Sequence, residues 1–176
     1  SEEQERESSE WNVRELSAGE FDALSAASEY GGFQQTSEMA ALAQSEGMQT
    51  QYVGLVDSHD VPVAGALVAF SQGRFGVEGS LWLGPLCNGN DGEQMTALTD
   101  GLREVAERVH AISLTCWPNQ VYCVRDSQGK VMAEPNDEMV REYERLGWKH
   151  AGFARGYGAL MNRWNYVKDL REFSNA

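Results

Sequence analysis

The stretch from Asn90 to Cys116 constrains the fold more than any other. Met95, Leu98, Leu102, Val105 and Val109 recur at spacings of 3, 4, 3 and 4, which lays one apolar stripe along an α-helix. Asn90 or Asp91 is placed to cap that helix, which runs to about His110. Ala111 to Cys116 follows at once as a short apolar run, the pattern of a buried strand. Ahead of the helix, Arg74 to Leu83 reads as a strand that returns beside Val61 to Ser71. A strand–helix–strand step of this kind is a crossover connection and predicts local parallel pairing.

The remaining elements fit around that step. Trp11 to Leu16 alternates as a short first strand. Ser17 with Glu20 forms a Ser-x-x-Glu capping box that opens a helix, with Phe21, Leu24 and Ala27 or Ser28 on its apolar face. Tyr30-Gly31-Gly32 stops it. A second helix spans roughly Ser37 to Ser45 with Met39 and Leu42 inward, and Gly47 ends it. Gln49 to Val56 alternates as a strand, and Val61 to Ser71 is continuously apolar, as in a strand buried on both faces. Gly84-Pro85 breaks the next strand, and Cys87 to Gly92 reads as loop. Asn136 caps a later helix carrying Met139, Val140, Tyr143 and Leu146. Gly147 stands where a left-handed C-cap belongs. Trp148 to Phe153 and Arg163 to Leu170 read as strands flanking the glycine loop Arg155 to Ala159. The order is β-α-α-β-β-β-α-β-α-β-β: an α/β (α+β mixed-sheet) domain with helices on both faces of one mixed sheet.

Length and charge narrow the function classes. At 176 residues the chain makes one domain with a proper core. We expect residues 1–10, acidic and without an apolar side chain, to be a disordered segment, 11–170 to be the domain, and 171–176 to be a tail linking to a second domain. The net charge of −13, with only 14 Lys and Arg, argues against nonspecific nucleic-acid binding and against docking on anionic lipid. No apolar run approaches the ~20 residues that span a bilayer, and we expect a cytoplasmic protein, at most peripheral to the inner membrane face. Cys87, Cys116 and Cys123 are odd in number with no Cys-x-x-Cys, which reads as buried free thiols. His59, His110 and His150 show no metal-ligand spacing, so no metal is expected.

Reactive constellations are absent from the pattern. A coenzyme A site would use backbone N–H groups at the start of the long helix to hold phosphates. The segment there is GPLCNGNDGE, in which Asp91 and Glu93 repel phosphate and Pro85 has no N–H to donate. Glu46, Glu78 and Glu134 have no partner in the sequence and read as solvated carboxylates rather than bases. The catalytic residues are therefore unknown at this level.

Several pieces taken together resemble the FemABX family, the aminoacyl-tRNA-dependent transferases that build peptidoglycan cross-bridges. Phe33-Gln34-Gln35-Thr36 resembles the family's F-x-Q-(S/T) segment, and Gly84-Pro85 its Gly-Pro turn. Pro118 is similar to a strand-ending proline. Gly147, Gly152-Phe153, Arg163 and Asp169-Leu170 are similar to the unit that closes the family's first domain. Three departures stand beside these. Ala43 replaces a common lysine, Leu83 a common arginine, and Trp117 the aspartate of an Asp-Pro pair. Each removes a polar or charged contact available to a diphosphate, worth about 1.5–3 kcal/mol.

The resemblance implies a GNAT-like acyltransferase fold, the first such domain of a FemABX-type enzyme. By that resemblance the whole enzyme would add an amino acid from aminoacyl-tRNA to the stem peptide of a peptidoglycan precursor, nucleotide- or lipid-linked. Aminoacyl-tRNA would be the co-substrate, with no cofactor and no coenzyme A, and would dock through regions outside this chain, beside a second GNAT-like domain. On this expectation the chain is a fragment and inactive alone. Candidate substrate-binding residues are Gln35, Thr36, Gly84, Pro85, Arg155, Tyr157 and Arg163, whereas Phe33 and Phe153 read as core. The alternative is a non-catalytic domain that binds a precursor or a protein, and less favoured is an N-acetyltransferase using coenzyme A.

Overall fold

The computed structural model describes residues 11–29, 31–82, 84–87, 92–118, 126–128, 130–132, 135–153 and 164–169, with residues 151–153 and 164–169 described by backbone alone. The elements are β1 (Asn12–Glu15), α1 (Ala18–Ala27), a 3-10 turn (Phe33–Gln35), α2 (Ser37–Ser45), β2 (Gln49–Val56), β3 (Pro62–Gln72), β4 (Val77–Trp82), β5 (Leu86–Cys87), α3 (Gly92–Arg108), β6 (Ala111–Trp117), α4 (Asp137–Arg145), β7 (Lys149–Phe153) and β8 (Trp164–Asp169). They form one sheet in the order β1-β2-β3-β4-β6-β8-β7, with β5 paired to β3. Pairing between β4 and β6 is parallel, as the crossover through α3 requires, and the other described pairs are antiparallel. Residues 1–10 and 171–176 lie outside the described residues.

Local signals set most of the boundaries. The Ser17 hydroxyl accepts from Glu20 N while the Glu20 carboxylate accepts from Ser17 N, the full capping box. Asn136 Oδ1 accepts from Met139 N at the start of α4. Gly147 ends that helix with φ +89°, a left-handed conformation costly for any residue with a Cβ. Asp57 and Asp126 each use one carboxylate oxygen to accept two backbone N–H groups across a tight turn, which is why aspartate opens both.

The two faces of the sheet are filled differently. On one, α3 and α4 cover Val53, Leu55, Val68, Phe70, Leu81 and Leu114, with Leu98, Leu102 and Tyr143 pressing in from the helices. On the other, α1 and α2 pack on β2 and β3, where Leu16, Phe21, Ala40, Val56, Leu67 and Leu86 form a second cluster. Phe21 stacks on Tyr52 with centroids 5.0 Å apart. Gly54 and Gly65 are register partners under α1. A Cβ on Gly54 would lie 2.4 Å from Leu16, and one on Gly65 3.0 Å from Leu24, so the pair lets that layer sit close.

Several sequence expectations need correction. Leu42 is 48% exposed, and the inward residues of α2 are Ala40 and Ala43; with Met39 half-buried, the short alanines let α2 lie close to the sheet. In α1, Ser25 is buried and Ala27 exposed, so Phe21, Leu24 and Ser25 make its inner face. Phe33 is 54% exposed and is not core. Cys87, read as the start of a loop, is instead in a short strand with Leu86, paired with Ala64 and Gly65. Propensity could not foresee that pairing, because it depends on β3 extending past the end of β4.

Candidate functional site

Two of the sequence pieces meet at one point. The β3–β4 ladder runs from Gln72↔Val77 to Ala69↔Ser80 and would next bring Leu67 opposite Trp82. There the side chain of Gln35 enters between the strands. Leu67 N donates to Gln35 Oε1 at 2.9 Å, and Gln35 Nε2 donates to Trp82 O at 2.9 Å and to Leu67 O at 3.3 Å. The amide carries a donor and an acceptor on one planar group, so it can stand in for a ladder rung. Gln35 is fully buried, and its polar atoms are held by the sheet backbone. Beyond the gap the chain passes through a cis Gly84-Pro85 peptide bond and pairs with β3 again as β5. A Cβ on Gly84 would lie 2.7 Å from the Gln35 amide carbon, so this glycine makes room for Gln35. Gly84 and Pro85 are both buried.

Thr36 is the N-cap of α2. Its Oγ1 accepts from Met39 N at 3.3 Å and donates to Phe33 O at 2.6 Å. The Asp22 carboxylate reaches across from α1 to accept from Ser37 N and Ser37 Oγ. Thr36 also lines a cavity of about 420 Å³ with Asp22, Ser25, Ser28, Gly31 and Ser37. Arg155, Tyr157 and Arg163 lie outside the described residues. The structure therefore brings Gln35 against Gly84, with Pro85 the next residue of the chain, and sets Thr36 at the adjoining helix start.

A second feature lies on the same side of the sheet as α1 and α2, farther along. Register places Ser80 beside Thr115 and Trp82 beside Trp117, with Glu78 beside Ser113 in the row before. These positions share the face of Leu67 and Ala69. Helices α1 and α2 pack on β2 and β3, and here Ser80, Trp82, Ser113, Thr115 and Trp117 are half-buried while Glu78 is exposed. Their alternating neighbours Gly79, Leu81, Leu114 and Cys116 are buried on the opposite face. Ala111 to Cys116 is thus buried on one side only, a correction to the sequence reading. Trp82 and Trp117 are the last residues of the one parallel pair among the described strands. The carboxyl ends of parallel strands beside a crossover are where open α/β sheets bind ligands.

Sequence reasoning missed this row. The signal was present: VEGSLW and AISLTCW both alternate, with Glu, Ser and Trp or Ser, Thr and Trp on one side. Seeing it required the β4–β6 register, which aligns the two patterns.

Charge on this side is organised around Arg14. Its guanidinium forms a bidentate pair with Glu20, with Nη2 to Oε2 at 2.6 Å, and donates from Nε to Asp60 at 2.8 Å. Hydrogen bonds from Arg14, and then from the Ser17 backbone, hold the Glu20 carboxyl down to about 2. This cluster ties β1, the start of α1 and the β2–β3 turn together. β4 and β6 carry no Lys or Arg, and Glu78 is their one charged residue.

Comparisons with known proteins agree on the fold. The FemAB family model matches residues 16–176. The crystal structure of FemX superposes with a TM-score of 0.67 at 18% identity, covering 83% of this chain and 34% of FemX. The chain thus spans about a third of that protein's length. An N-acetyltransferase from Staphylococcus aureus Mu50 aligns at a TM-score of 0.58 and 14% identity, over 91% of this chain and 97% of its own. YhbS of Escherichia coli, a GNAT family N-acetyltransferase solved in complex with CoA, aligns at 0.54 and 14% identity, over 92% and 82%. The architecture is that of the GNAT-like acyltransferase fold. No curated protein matches the sequence.

Proposed function

The chain belongs to the FemAB family, and on that premise we propose that it is the acceptor-binding GNAT-like domain of a peptidoglycan cross-bridge transferase. In this reading an amino group of the precursor's stem peptide, in its neutral form, attacks the ester carbonyl of an aminoacyl-tRNA. A C–N bond forms, the C–O bond to the terminal ribose breaks, and the amine's proton ends on the released ribose hydroxyl. The ester is already activated, so positioning and stabilisation of the tetrahedral intermediate can carry much of the rate. That suits a chain in whose sequence no nucleophile constellation stands out. The observation that carries the reading is the family match over residues 16–176, from the end of β1 onward, with a polar and aromatic row at the carboxyl ends of β4 and β6.

The test is calorimetric titration of the 176-residue chain with a nucleotide-linked muramyl pentapeptide and, separately, with coenzyme A. Precursor binding that weakens on Arg163→Ala is expected. Coenzyme A binding without precursor binding would sink the proposal in favour of an acetyltransferase.

A non-catalytic precursor-binding domain is the second reading. It is favoured by Ala43, which is 1% exposed and packed in α2, leaving no side chain there to hold an anion. Adding a second GNAT-like domain to the chain restores amino-acid transfer under the first reading and leaves it absent under the second.

A further inference from the structure

We propose that the cavity between α1 and the start of α2 is a binding site for a primary ammonium group on a short aliphatic stem. Asp22, Glu38 and the Ser25 hydroxyl take its three N–H groups, and Ala26 and Gly31 flank the stem. The inference goes beyond the transferase reading and does not rest on it.

Ser25 points to a ligand. The residue is 5% exposed and lines the cavity, yet its hydroxyl makes no hydrogen bond among the described residues. Thr96 in α3 and Ser45 in α2 instead donate to their own helices, Thr96 Oγ1 to Gly92 O at 2.7 Å and Ser45 Oγ to Leu42 O at 2.6 Å. A buried polar group left without a partner is destabilising, and a bound group that meets it recovers the loss. Gly31, also on the cavity wall, keeps the approach open. A Cβ there would stand 3.3 Å from Ser25 Oγ and 1.9 Å from Ser25 O.

Charge says which group. Asp22 Oδ1 accepts from Ser37 N at 2.7 Å and Oδ2 accepts from Ser37 Oγ. A carboxylate has about four acceptor sites, so each oxygen keeps one for a ligand while Ser37 holds the group in place. Glu38, exposed in the first turn of α2, also lines the cavity. The ion pairs among the described residues include neither carboxylate, and no described Lys, Arg or His lines the cavity. Such a wall repels anions. An ammonium group carries three donors and no acceptor, which matches two carboxylates and one hydroxyl. A metal ion fits less well, because among the described residues no group of three or more His, Cys, Asp or Glu is placed to hold one. A volume of about 420 Å³ lies toward the small end of ligand pockets, which suits a short stem.

The experiment is a residue-resolved NMR titration of the 176-residue chain. The probes are 1,4-diaminobutane, its neutral counterpart 1,4-butanediol, and an acetyl-Ala-Lys-Ala-amide peptide with the lysine free or Nε-acetylated. The diamine or the free-lysine peptide should shift the amides of Ser25, Gly31, Ser37 and Glu38, with no such shifts from the diol or the acetylated peptide. Response to the diamine alone assigns a free amine, and response to the peptide assigns a lysine side chain. Glu38→Gln should weaken binding at least about fivefold and Ser25→Ala about threefold. Alanine is the better helix former at position 25, and circular dichroism confirms that both variants are folded. Silence of the four amides toward both amines at millimolar concentration overturns the inference. So does an equal response to the diol, or unchanged affinity in both folded variants. Shifts spread over the exposed carboxylates of α3, Asp100, Glu104 and Glu107, in place of the cavity amides would show only diffuse attraction to an acidic surface and likewise overturn it.

Discussion

One side of this sheet carries two unlike halves. Over β2 and β3 it shows Gly54, Val56, Gly65 and Leu67, and α1 and α2 press onto them. Over β4 and β6 it shows Glu78, Ser80, Trp82, Ser113, Thr115 and Trp117, half-buried or exposed. The backbone is continuous across the two halves, so strand propensity cannot explain the difference. Side-chain size and polarity do. Paired glycines let a helix layer approach, whereas hydroxyls and indoles hold one off and keep groups that can bind something else. Gln35 sits at the border, with one strand of each half in its grip.

That border is the place to break the comparison. Gln35→Ala should destabilise most, by about 3 kcal/mol in urea unfolding, because it leaves Leu67 N–H and Trp82 C=O buried without partners and opens a cavity. Gly84→Ala should cost about 1–3 kcal/mol, since its Cβ would overlap the Gln35 amide. Combined with Gln35→Ala that cost should shrink, and additive losses in the double mutant would show that the two residues do not form one device. On the covered half, Thr36→Ala removes the α2 cap and should lower stability by about 1 kcal/mol. On the open half, Ser80→Ala and Thr115→Ala should each change stability by less than about 0.5 kcal/mol. A large loss at either would mean that this half is structural.

The smallest effect concerns the Arg14 cluster at the rim of the covered half. Glu20 is held near 2, below its ordinary 4.5. A lowered folded pKa means that the pair's contribution is complete above about 4.5 and fades as pH falls toward 2. The group is solvent-exposed, so the effect on stability is slight. An NMR titration should find the low value and see it return toward ordinary in Arg14→Ala. An unchanged Glu20 in that variant would assign the shift to the capping box instead.

Much of the architecture was legible because its causes are local. The α3 stripe, the Ser17–Glu20 box, the Asn136 cap and the Gly147 terminus are each written within a few residues, and each stands where the sequence places it. The crossover through α3 is likewise written in the chain, and with it the parallel pairing of β4 and β6. The candidate site was less legible. Resemblance singled out Gln35 and Gly84 as separate positions some fifty residues apart, with nothing to say that they touch. Trp117 stands in the sequence as a departure from the family pattern, whereas Trp82, Ser80 and Thr115 gain meaning only through the β4–β6 register. Arg155, Tyr157 and Arg163 lie outside the described residues.

The sequence by itself determined the elements, their order and the crossover, since periodicity and capping act over a few residues of chain. Only the tertiary structure decided that Gln35 replaces a missing rung between β3 and β4. It alone decided that Leu86–Cys87 returns to β3, and that Trp82 and Trp117 share one open face. Those facts depend on register between distant strands, and register is set by the packing of whole layers, which no local pattern encodes.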